Sequence, residues 1–362
     1  MGANRNRFLP NSRIAELLAL TAEKAKMPLQ KALRRASRKA FLWPDQASVL
    51  VQEGRSLTEL PGVGPHLNRI IHGWIEAPPR ISKPPEIRRS FLTLTEAHAA
   101  LAKKPSWGAG LNGDLQMHTR WSDGSGSIEH MARAASERGY EYIAITDHSK
   151  GLKIAGGINE EQLLRQAEEI SEVNSKMQEE KSSVSVLRSI ELNLNPLGEG
   201  DMDRDSLKRL DLVLGCFHSA LRKKEDQTDR YLAALRNPDI QILGHPRGRI
   251  YNFRLGLNAD WVQVFDLAAE LDKAVEIDAY PDRQDLSIDL LKIAKKSGCR
   301  ISLGTDSHDP LQLRFMEFAL AAAIIAGLNR ERILNFMPRA DLLNWAARLR
   351  DQQRCKRSIS TS

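Results

Sequence analysis

Metal-binding residue types stand at the ends of a series of short apolar runs along this chain. Six runs end in this way, and the residues at or just beyond their ends are Gln116, His118 and Asp123; Asp147 and His148; Glu191; His218; His245; and Asp306 and His308. Short β-rich runs between helix-like stretches are typical of parallel strands. In a β/α barrel the side chains at the carboxyl ends of such strands meet at one face. The pattern therefore predicts one site that holds several metal ions.

The residue types in this set indicate which chemistry the site would do. Nitrogen ligands from His and oxygen ligands from Asp and Glu suit Zn, Mn, Fe or Co. Such ligands leave coordination positions open for water and substrate, and ions held this way favour phosphoester hydrolysis. A single strand-end His is more often a hydrogen-bonded core residue than a ligand. Six strand ends in sequence, carrying five of the nine histidines of the chain, favour the metal site.

The elements that must position these residues fall into two parts. Residues 12–75 have helical patterns, and Pro78-Pro79 and Pro84-Pro85 break them. Seven strands are predicted at 114–118, 142–147, 184–190, 212–217, 240–244, 274–278 and 300–305, with amphipathic helices between them. We predict a helical domain at 1–80, a linker at 81–111, an α/β domain at 112–348 and a flexible tail at 349–362.

Composition places the chain among globular proteins. Hydrophobic residues make up 41% and charged residues 27% of the sequence, and no apolar run approaches the roughly 18 residues that a membrane helix needs. The first residues lack the apolar core of a secretory signal. The cysteines, Cys216, Cys299 and Cys355, form no Cys-x-x-Cys pair, which argues against a disulfide framework or a zinc ribbon. We expect a cytoplasmic protein with no membrane partner.

The net charge of +7 is unevenly distributed. Residues 1–105 hold 18 Lys and Arg against 8 Asp and Glu, a net of +10, whereas residues 106–362 hold 35 against 38, a net of −3. A basic part joined to a mildly acidic part suggests that the first part meets a polyanion. The alternative is a solvated helical surface, which charged stretches usually are.

A turn in the basic part favours the polyanion. The segment 57–71 resembles a helix-hairpin-helix, and its Gly-Val-Gly turn leaves backbone N–H groups free at a helix N-terminus, which binds phosphate without reading sequence. The residues predicted to contact DNA are Pro61, Gly62, Val63, Gly64, His66 and Arg69. A plain turn between two helices is the alternative, and the basic helix at 31–40 argues against it.

The strand-end motifs together resemble the PHP (polymerase and histidinol phosphatase) domain. They are Asp114-Leu115-Gln116-Met117-His118-Thr119, Ser122-Asp123-Gly124, Ile145-Thr146-Asp147-His148-Ser149, Glu191-Leu192-Asn193, Phe217-His218-Ser219, Gly244-His245-Pro246 and Thr305-Asp306-Ser307-His308. The resemblance implies a distorted seven-stranded β/α barrel with up to three divalent ions (Zn, Mn or Fe) at its C-terminal face. It implies as ligands Gln116, His118, Asp123, His148, Glu191, His218, His245, Asp306 and His308, with Glu191 bridging two ions. His118, His148, Glu191, Asp306 and His308 would be catalytic.

One position departs from the family pattern, because Gln116 stands where relatives usually have the first His of His-x-His. A neutral amide binds metal through oxygen and less tightly than imidazole, so a weaker or different metal is expected there. Arg247 and Arg249 follow His245 closely and are candidates for holding phosphate, with solvent-exposed loop arginines as the alternative. Cys216 is most simply a core residue, and Asp278 is assigned no role.

A helix-hairpin-helix followed by a PHP domain resembles the two ends of bacterial family X DNA polymerases. Only about forty residues separate Ile71 from Asp114, so the polymerase module is absent. The resemblance implies a metal-dependent phosphoesterase acting on DNA, as a 3′–5′ exonuclease or in 3′-end processing during repair. Two alternatives remain open: a small-molecule phosphatase of the histidinol-phosphatase type, and a non-catalytic DNA-binding protein.

Overall fold

The computed structural model describes residues 8–360, with side chains as far as residue 351. Its helices are α1 (Asn11–Lys24), α2 (Leu29–Lys39), α3 (Ala47–Gln52), α4 (Pro65–Glu76), α5 (Leu94–Ala102), α6 (Ile128–Glu137), α7 (Glu160–Glu179), α8 (Arg204–Leu207), α9 (Thr228–Arg236), α10 (Trp261–Glu270), α11 (Ile288–Ser297), α12 (Met316–Ala326) and α13 (Arg339–Ser360). Its strands are β1 (Gly113–Asp114), β2 (Tyr142–Ile145), β3 (Ser185–Arg188), β4 (Glu191–Asn193), β5 (Leu214–Cys216), β6 (Ile242–Leu243), β7 (Ala274–Asp278) and β8 (Arg300–Gly304).

The first four helices enclose a core of their own. In α1, Ile14, Leu17 and Leu18 are buried, which is the i, i+3, i+4 spacing of one helix face. Trp43 is fully buried among these helices, and its Nε1 donates a hydrogen bond of 3.1 Å to the carbonyl oxygen of Pro61. The helical N-terminal region predicted from the sequence is thus confirmed.

The remainder is a mixed α/β structure with parallel sheets, in the orders β1-β2-β3 and β4-β5-β6-β7-β8. The run predicted as one strand at 184–190 differs from the structure: its first part, β3, pairs with β2, and the chain then continues into β4, which pairs with β5. Because this continuous segment changes partners, the ladder is divided between two sheets. A seven-stranded barrel stays a prediction.

Contacts beyond the ladders bring the carboxyl ends of the two sheets together. His118 N donates to Ser307 O at 2.7 Å, next to the end of β8, and Glu191 N donates to Asp147 O at 3.1 Å, next to the end of β2. Helix α13 lies at the opposite ends, where Trp345 Nε1 donates to Asp272 O just before β7. The carboxyl ends, which carry the predicted ligands, are therefore left uncovered by α13.

No helix in the described part of the chain combines the length and the apolarity needed to cross a bilayer. Helix α13 runs through residues 349–360, and residues 361–362 lie outside the described range. The flexible tail predicted at 349–362 and the three boundaries between the four predicted segments stay predictions.

A buried ion pair fastens the segment after the helical region to α1. Arg88 donates from Nε and Nη2 to the two carboxylate oxygens of Glu16, both at 2.9 Å, and both side chains are about 5% exposed. Its Nη1 reaches Glu23 at 2.7 Å and Asn252 Oδ1 at 3.0 Å. One guanidinium thus joins α1, the segment at 86–88 and the loop after β6.

Removing this guanidinium is expected to be costly. The substitution Arg88→Met leaves Glu16 buried without its partner, so the free energy of unfolding should fall by about 3–5 kcal/mol. Urea denaturation followed by circular dichroism measures the change. As controls, Arg133→Met in the exposed pairs with Glu129 and Glu180 should leave the curve unchanged, and Glu16→Leu combined with Arg88→Met should recover most of the loss. Equal effects of Arg88→Met and Arg133→Met would contradict the assignment.

Candidate metal centre

The structure gathers the predicted ligands into one cluster at the carboxyl ends of the strands. Four groups of side chains have ligand atoms that all lie within 4.8 Å of one another: His118, Asp123, His148 and His308; His148, Glu191 and His218; Glu191, Cys216 and His245; and His118, Glu191 and Asp306. Eight of the nine predicted ligands belong to these groups. The ninth, Gln116, contacts Glu191 directly, since its Nε2 donates to Glu191 Oε2 at 3.0 Å.

Glu191 is the centre of the cluster. It is fully buried at the start of β4. Its Oε1 lies 2.7 Å from Nε2 of both His218 and His245, while its Oε2 lies 3.2 Å from Nε2 of His118 and 3.6 Å from Nδ1 of His148. Each oxygen thus faces a different pair of imidazoles, which is the arrangement that a carboxylate bridging two cations requires.

The same neighbours keep this carboxylate ionised. Burial alone would raise the pKa of Glu191, but the charges of His148 and His245 and the hydrogen bonds from His118 and His218 lower it well below its usual range. In return, although burial lowers the pKa of His245, the Glu191 carboxylate raises it to about 9. A buried carboxylate that four imidazoles surround is a site that favours positive charge.

A second carboxylate faces three stacked histidines at the mouth. Asp123 Oδ1 lies 3.3 Å from Nε2 of His308, 3.5 Å from Nε2 of His148 and 4.0 Å from Nδ1 of His118. The ring of His118 stacks between the other two, with centroids 4.3 Å from His148 and 4.4 Å from His308. Although partial burial raises it, the pKa of Asp123 is lowered far more by hydrogen bonds from His148 and His308.

Unsatisfied polar atoms test whether this donor set fits a metal. Among the described residues, Nδ1 of His118, Nδ1 of His148 and Oε1 of Gln116 are buried without a hydrogen-bond partner. A buried group left in that state costs about 1–3 kcal/mol. Lone pairs directed into a cluster of imidazoles and carboxylates are satisfied by divalent cations, so the residues present fit such ions.

A hydrogen bond to one ring nitrogen of a histidine decides that the other ring nitrogen faces the cluster. His218 Nδ1 lies 3.1 Å from Asn193 Oδ1, which leaves Nε2 toward Glu191. His308 Nδ1 donates to the carbonyl oxygen of Asp306 at 2.7 Å, which leaves Nε2 toward Asp123. Partners of this kind fix the tautomer and orientation of ligating histidines.

The backbone is bent to bring two ligands inward. His245 has φ +21° and Asp306 has φ +52°, values that non-glycine residues adopt only at a cost. A glycine that allows close approach lies directly before His245 and two residues before Asp306: a Cβ at Gly244 would collide with Cys216 Sγ, and one at Gly304 with Glu276 Oε1. The strand ends are thus shaped for the site at some expense in backbone energy.

Three residues at the site were not assigned a role from the sequence. Arg283, in the loop after β7, forms an ion pair with Asp306 Oδ2 and lies 3.8 Å from Asp278 Oδ2. Burial raises the pKa of Asp278 to about 8. Cys216 precedes His218 by two residues, and this period of two puts both side chains on one face of the strand, a signal that could have placed it beside Glu191.

The cluster opens into a cavity of about 180 Å³. Arg249, Arg254 and Arg283 line this cavity together with Asp123 and four histidines of the cluster, all but His118. Arg249 is 5% exposed, and its Nη2 donates to the carbonyl oxygens of Arg89 and Ser90. Arg247 is not among the lining residues, and its Nε donates to Leu257 O at 3.1 Å. The cationic lining thus comes from Arg249 and from two arginines that the sequence did not single out.

The hairpin residues lie in the helical region, away from this cavity. Gly62 has φ +81°, and a Cβ there would lie 2.6 Å from Lys39 Cδ at the end of the basic helix α2. Helix α4 begins after Gly64 without a side-chain cap. Val63 is buried, whereas Pro61, Gly62, Gly64, His66 and Arg69 are exposed. The turn therefore presents an uncapped helix N-terminus next to a lysine.

Comparisons with known proteins agree with this geometry. A family model described as "PHP domain" matches residues 114–305. Over 253 residues the chain is 35% identical to the Bacillus subtilis (strain 168) protein named DNA polymerase/3'-5' exonuclease PolX; the match covers 70% of this chain and 43% of that protein, so the chain spans less than half of that relative. Over 234 residues it is 28% identical to a probable phosphatase of Thermoanaerobacter sp. (strain X514), covering 61% of this chain and 89% of that one.

A solved structure is also similar. It is the crystal structure of histidinol phosphate phosphatase from Lactococcus lactis subsp. lactis, complexed with zinc, L-histidinol and phosphate. The TM-score is 0.45 at 18% sequence identity, and the superposition covers 60% of this chain and 95% of that chain.

Neutralising the central carboxylate is expected to empty the site. The variant Glu191→Gln keeps the shape of the side chain but removes the charge shared by four imidazoles, so at least one metal equivalent should be lost. Metal content after reconstitution with Mn²⁺ or Zn²⁺, measured by mass spectrometry, checks this. Glu270→Gln, on the far helix α10, serves as the control. Full metal content in Glu191→Gln would refute the bridging role.

Proposed function

The chain belongs to the PHP domain family, and from this premise we propose that this metal-dependent phosphoesterase acts on DNA, as a 3′–5′ exonuclease or in 3′-end processing during repair. The observation that carries the hydrolytic part is the pair of oxygens of Glu191, each facing two imidazoles at 2.7–3.6 Å. The DNA part is supported by the basic helix α2 lying against the uncapped hairpin turn.

The proposed metal site uses all nine predicted ligands and holds up to three divalent ions (Zn, Mn or Fe). When bound, such ions supply charge stabilisation and an activated water for phosphoester cleavage. The catalytic group would comprise His118, His148, Glu191, Asp306 and His308. We also propose that the strands form the distorted seven-stranded barrel that sets these side chains around one mouth.

The protein's own cations would orient the phosphate. Arg254 and Arg283 line the cavity beside the cluster, and a guanidinium holds phosphate oxygens by charge-assisted hydrogen bonds. The Arg283 guanidinium also forms an ion pair with the proposed ligand Asp306. It would therefore hold this carboxylate in place and contact the substrate phosphate from the same position. Arg249 contributes its charge at the wall, because burial lowers its pKa only to about 10.

The helical region would hold the DNA backbone. Lys39 packs against Gly62, and the N-terminus of α4 presents backbone N–H groups beside it. A helix N-terminus binds phosphate through these groups, and contacts to phosphate carry no sequence information. We therefore propose sequence-independent binding by a domain at 1–80, connected through 81–111 to the PHP domain at 112–348.

A small-molecule phosphatase is the second candidate. The cavity of about 180 Å³ suits a phosphate monoester as well as a DNA end. The probable phosphatase of Thermoanaerobacter is matched over 89% of its length, but the basic helical region has no part in holding a small substrate.

A nuclease assay separates these candidates. Oligonucleotides labelled at the 3′ or the 5′ end, single- and double-stranded, are incubated with the Mn²⁺-loaded protein and with His148→Ala. Stepwise shortening from the 3′ end that is lost in His148→Ala is the expected result, because His148 faces both carboxylates of the cluster. Intact oligonucleotides alongside hydrolysis of p-nitrophenyl phosphate would replace the DNA proposal with the phosphatase.

The salt dependence of DNA affinity tests the proposed DNA contact of the helical region separately. The variant Lys39→Gln should weaken binding to oligonucleotides of any sequence and reduce the slope of log K against log salt by about one, as expected for one lost phosphate contact. Fluorescence anisotropy measures the binding constant at salt concentrations from about 50 to about 200 mM, a range over which phosphate contacts change affinity strongly, and these values give the slope. Lys208→Gln, on the opposite part of the chain, is the matched control. Equal slopes for both variants would remove the hairpin from the interface.

A further inference from the structure

Tyr251 belongs to the loop after β6 but is buried in the core of the helical region. It is 2% exposed and belongs to the same hydrophobic cluster as the buried side chains of α1, α2 and α4. Its ring centroid lies 4.7 Å from Phe41 and 5.3 Å from Phe91, both edge-to-face. A residue six positions after the ligand His245 is thus part of the other core.

The hydroxyl of Tyr251 is also specifically held. It lies 3.1 Å from Ser37 Oγ of α2. Ser37 donates its only hydroxyl proton to Ala15 O at 2.8 Å, so the tyrosine hydroxyl must be the donor to Ser37 Oγ. Both groups are buried, and the bond fixes Tyr251 to the same helix that carries the basic side chains.

Phe91 joins this anchor to the cavity. The guanidinium of Arg249 stacks on one side of Phe91, with Cζ 3.7 Å from the ring centroid, while Tyr251 packs against the same ring. Arg249 also lines the catalytic cavity. The position of this wall residue therefore depends on Phe91, and the position of Phe91 depends on the helical core.

The loop needs such external support. His245, Gly248 and Asn252 all have positive φ, at +21°, +59° and +53°, and the two non-glycine residues adopt this conformation only when their surroundings enforce it. Asn252 N donates to Ile87 O at 3.1 Å, and Asn252 Oδ1 accepts from Arg88. The α/β part holds the loop through backbone groups, since Gly248 N donates to Asp285 and Tyr251 N to Asp282 O, whereas the side chains of Arg249, Tyr251 and Asn252 are held by groups that precede it.

We propose that Tyr251 is a positioning residue, through which the helical region holds the 245–254 loop and so sets Arg249 at the wall of the metal cavity. The helical region is then a structural part of the phosphoesterase site, in addition to any role in binding DNA. The proposal rests on the phosphoesterase activity alone and does not require that the substrate be DNA.

Steady-state kinetics on the full chain test this. With p-nitrophenyl phosphate, Tyr251→Ala should raise KM about tenfold with a smaller change in kcat, because binding is lost in ground and transition state alike. Metal content should stay at the wild-type level. Tyr251→Phe, which keeps the ring contacts and loses only the bond to Ser37, should recover most of the lost affinity.

A second experiment measures whether substitutions in the helical core change KM together with those at Tyr251. Phe41→Leu, in the helical region, should raise KM in the same direction, and its effect should not add to that of Tyr251→Ala, since residues in one contact chain share their effect. Leu50→Ala removes a buried leucine of the same core from α3 and controls for general loosening. Calorimetric binding of inorganic phosphate to the metal-loaded variants gives the same comparison without turnover.

The outcomes distinguish positioning from stability. A lower melting temperature with unchanged KM and unchanged phosphate affinity in Tyr251→Ala would overturn the proposal, and so would an equal rise in KM in Leu50→Ala. Absence of cleavage of DNA by the wild-type protein would refute the proposed substrate but leave this inference standing, because both of its measurements use phosphate compounds.

Discussion

The buried charge of Glu191 is the constraint around which the α/β part is organised. A carboxylate taken out of water is costly unless it is paired and hydrogen-bonded, and here four imidazoles surround its two oxygens. Those imidazoles come from the ends of four different strands or strand-end loops. The requirement to compensate one anion thus brings the carboxyl ends of both sheets to the same point, where the uncompensated lone pairs of the histidines are directed inward.

The cluster around Glu191 also depends on contacts with the helical region. Positive φ at His245 and Asp306 means that two of the predicted ligands occupy backbone conformations that non-glycine residues adopt only at a cost. Contacts from outside must hold them: Arg283 pairs with Asp306, and the loop after His245 is fixed by Tyr251 and Asn252 to residues of the N-terminal part. A few buried side chains therefore connect the helical core to the loop that follows His245.

The clustering of these His, Asp and Glu side chains was predictable from the sequence because they lie at or near the ends of apolar runs, and parallel strands place their ends at one face. Helices with one apolar face, such as α1, were predictable for the same local reason. Tyr251 was not, because its partner Ser37 is 214 positions away and nothing local marks it as a core residue of another part. Arg283 was missed likewise, since a loop arginine has no periodic pattern. The change of sheet between β3 and β4 depends on which neighbours each strand meets, which a hydrophobic run does not encode.

The layer below the ligands explains how the site can concentrate negative charge where cations are needed. Gln116, Cys216 and Glu276 lie there, beside Gly244 and Gly304, whose missing side chains make room for them. Glutamine is neutral, burial raises the pKa of Cys216 well above its usual value, and burial raises the pKa of Glu276 to about 8. At neutral pH this layer carries little charge, so the negative charge that cations would meet lies in the upper layer, where the pKa values of Glu191 and Asp123 are lowered by the surrounding histidines. An imidazole at position 116 would add a further nitrogen donor to the lower layer, whereas the amide gives Glu191 a hydrogen bond instead. The amide thus gives the Glu191 carboxylate one more hydrogen-bond donor without adding charge.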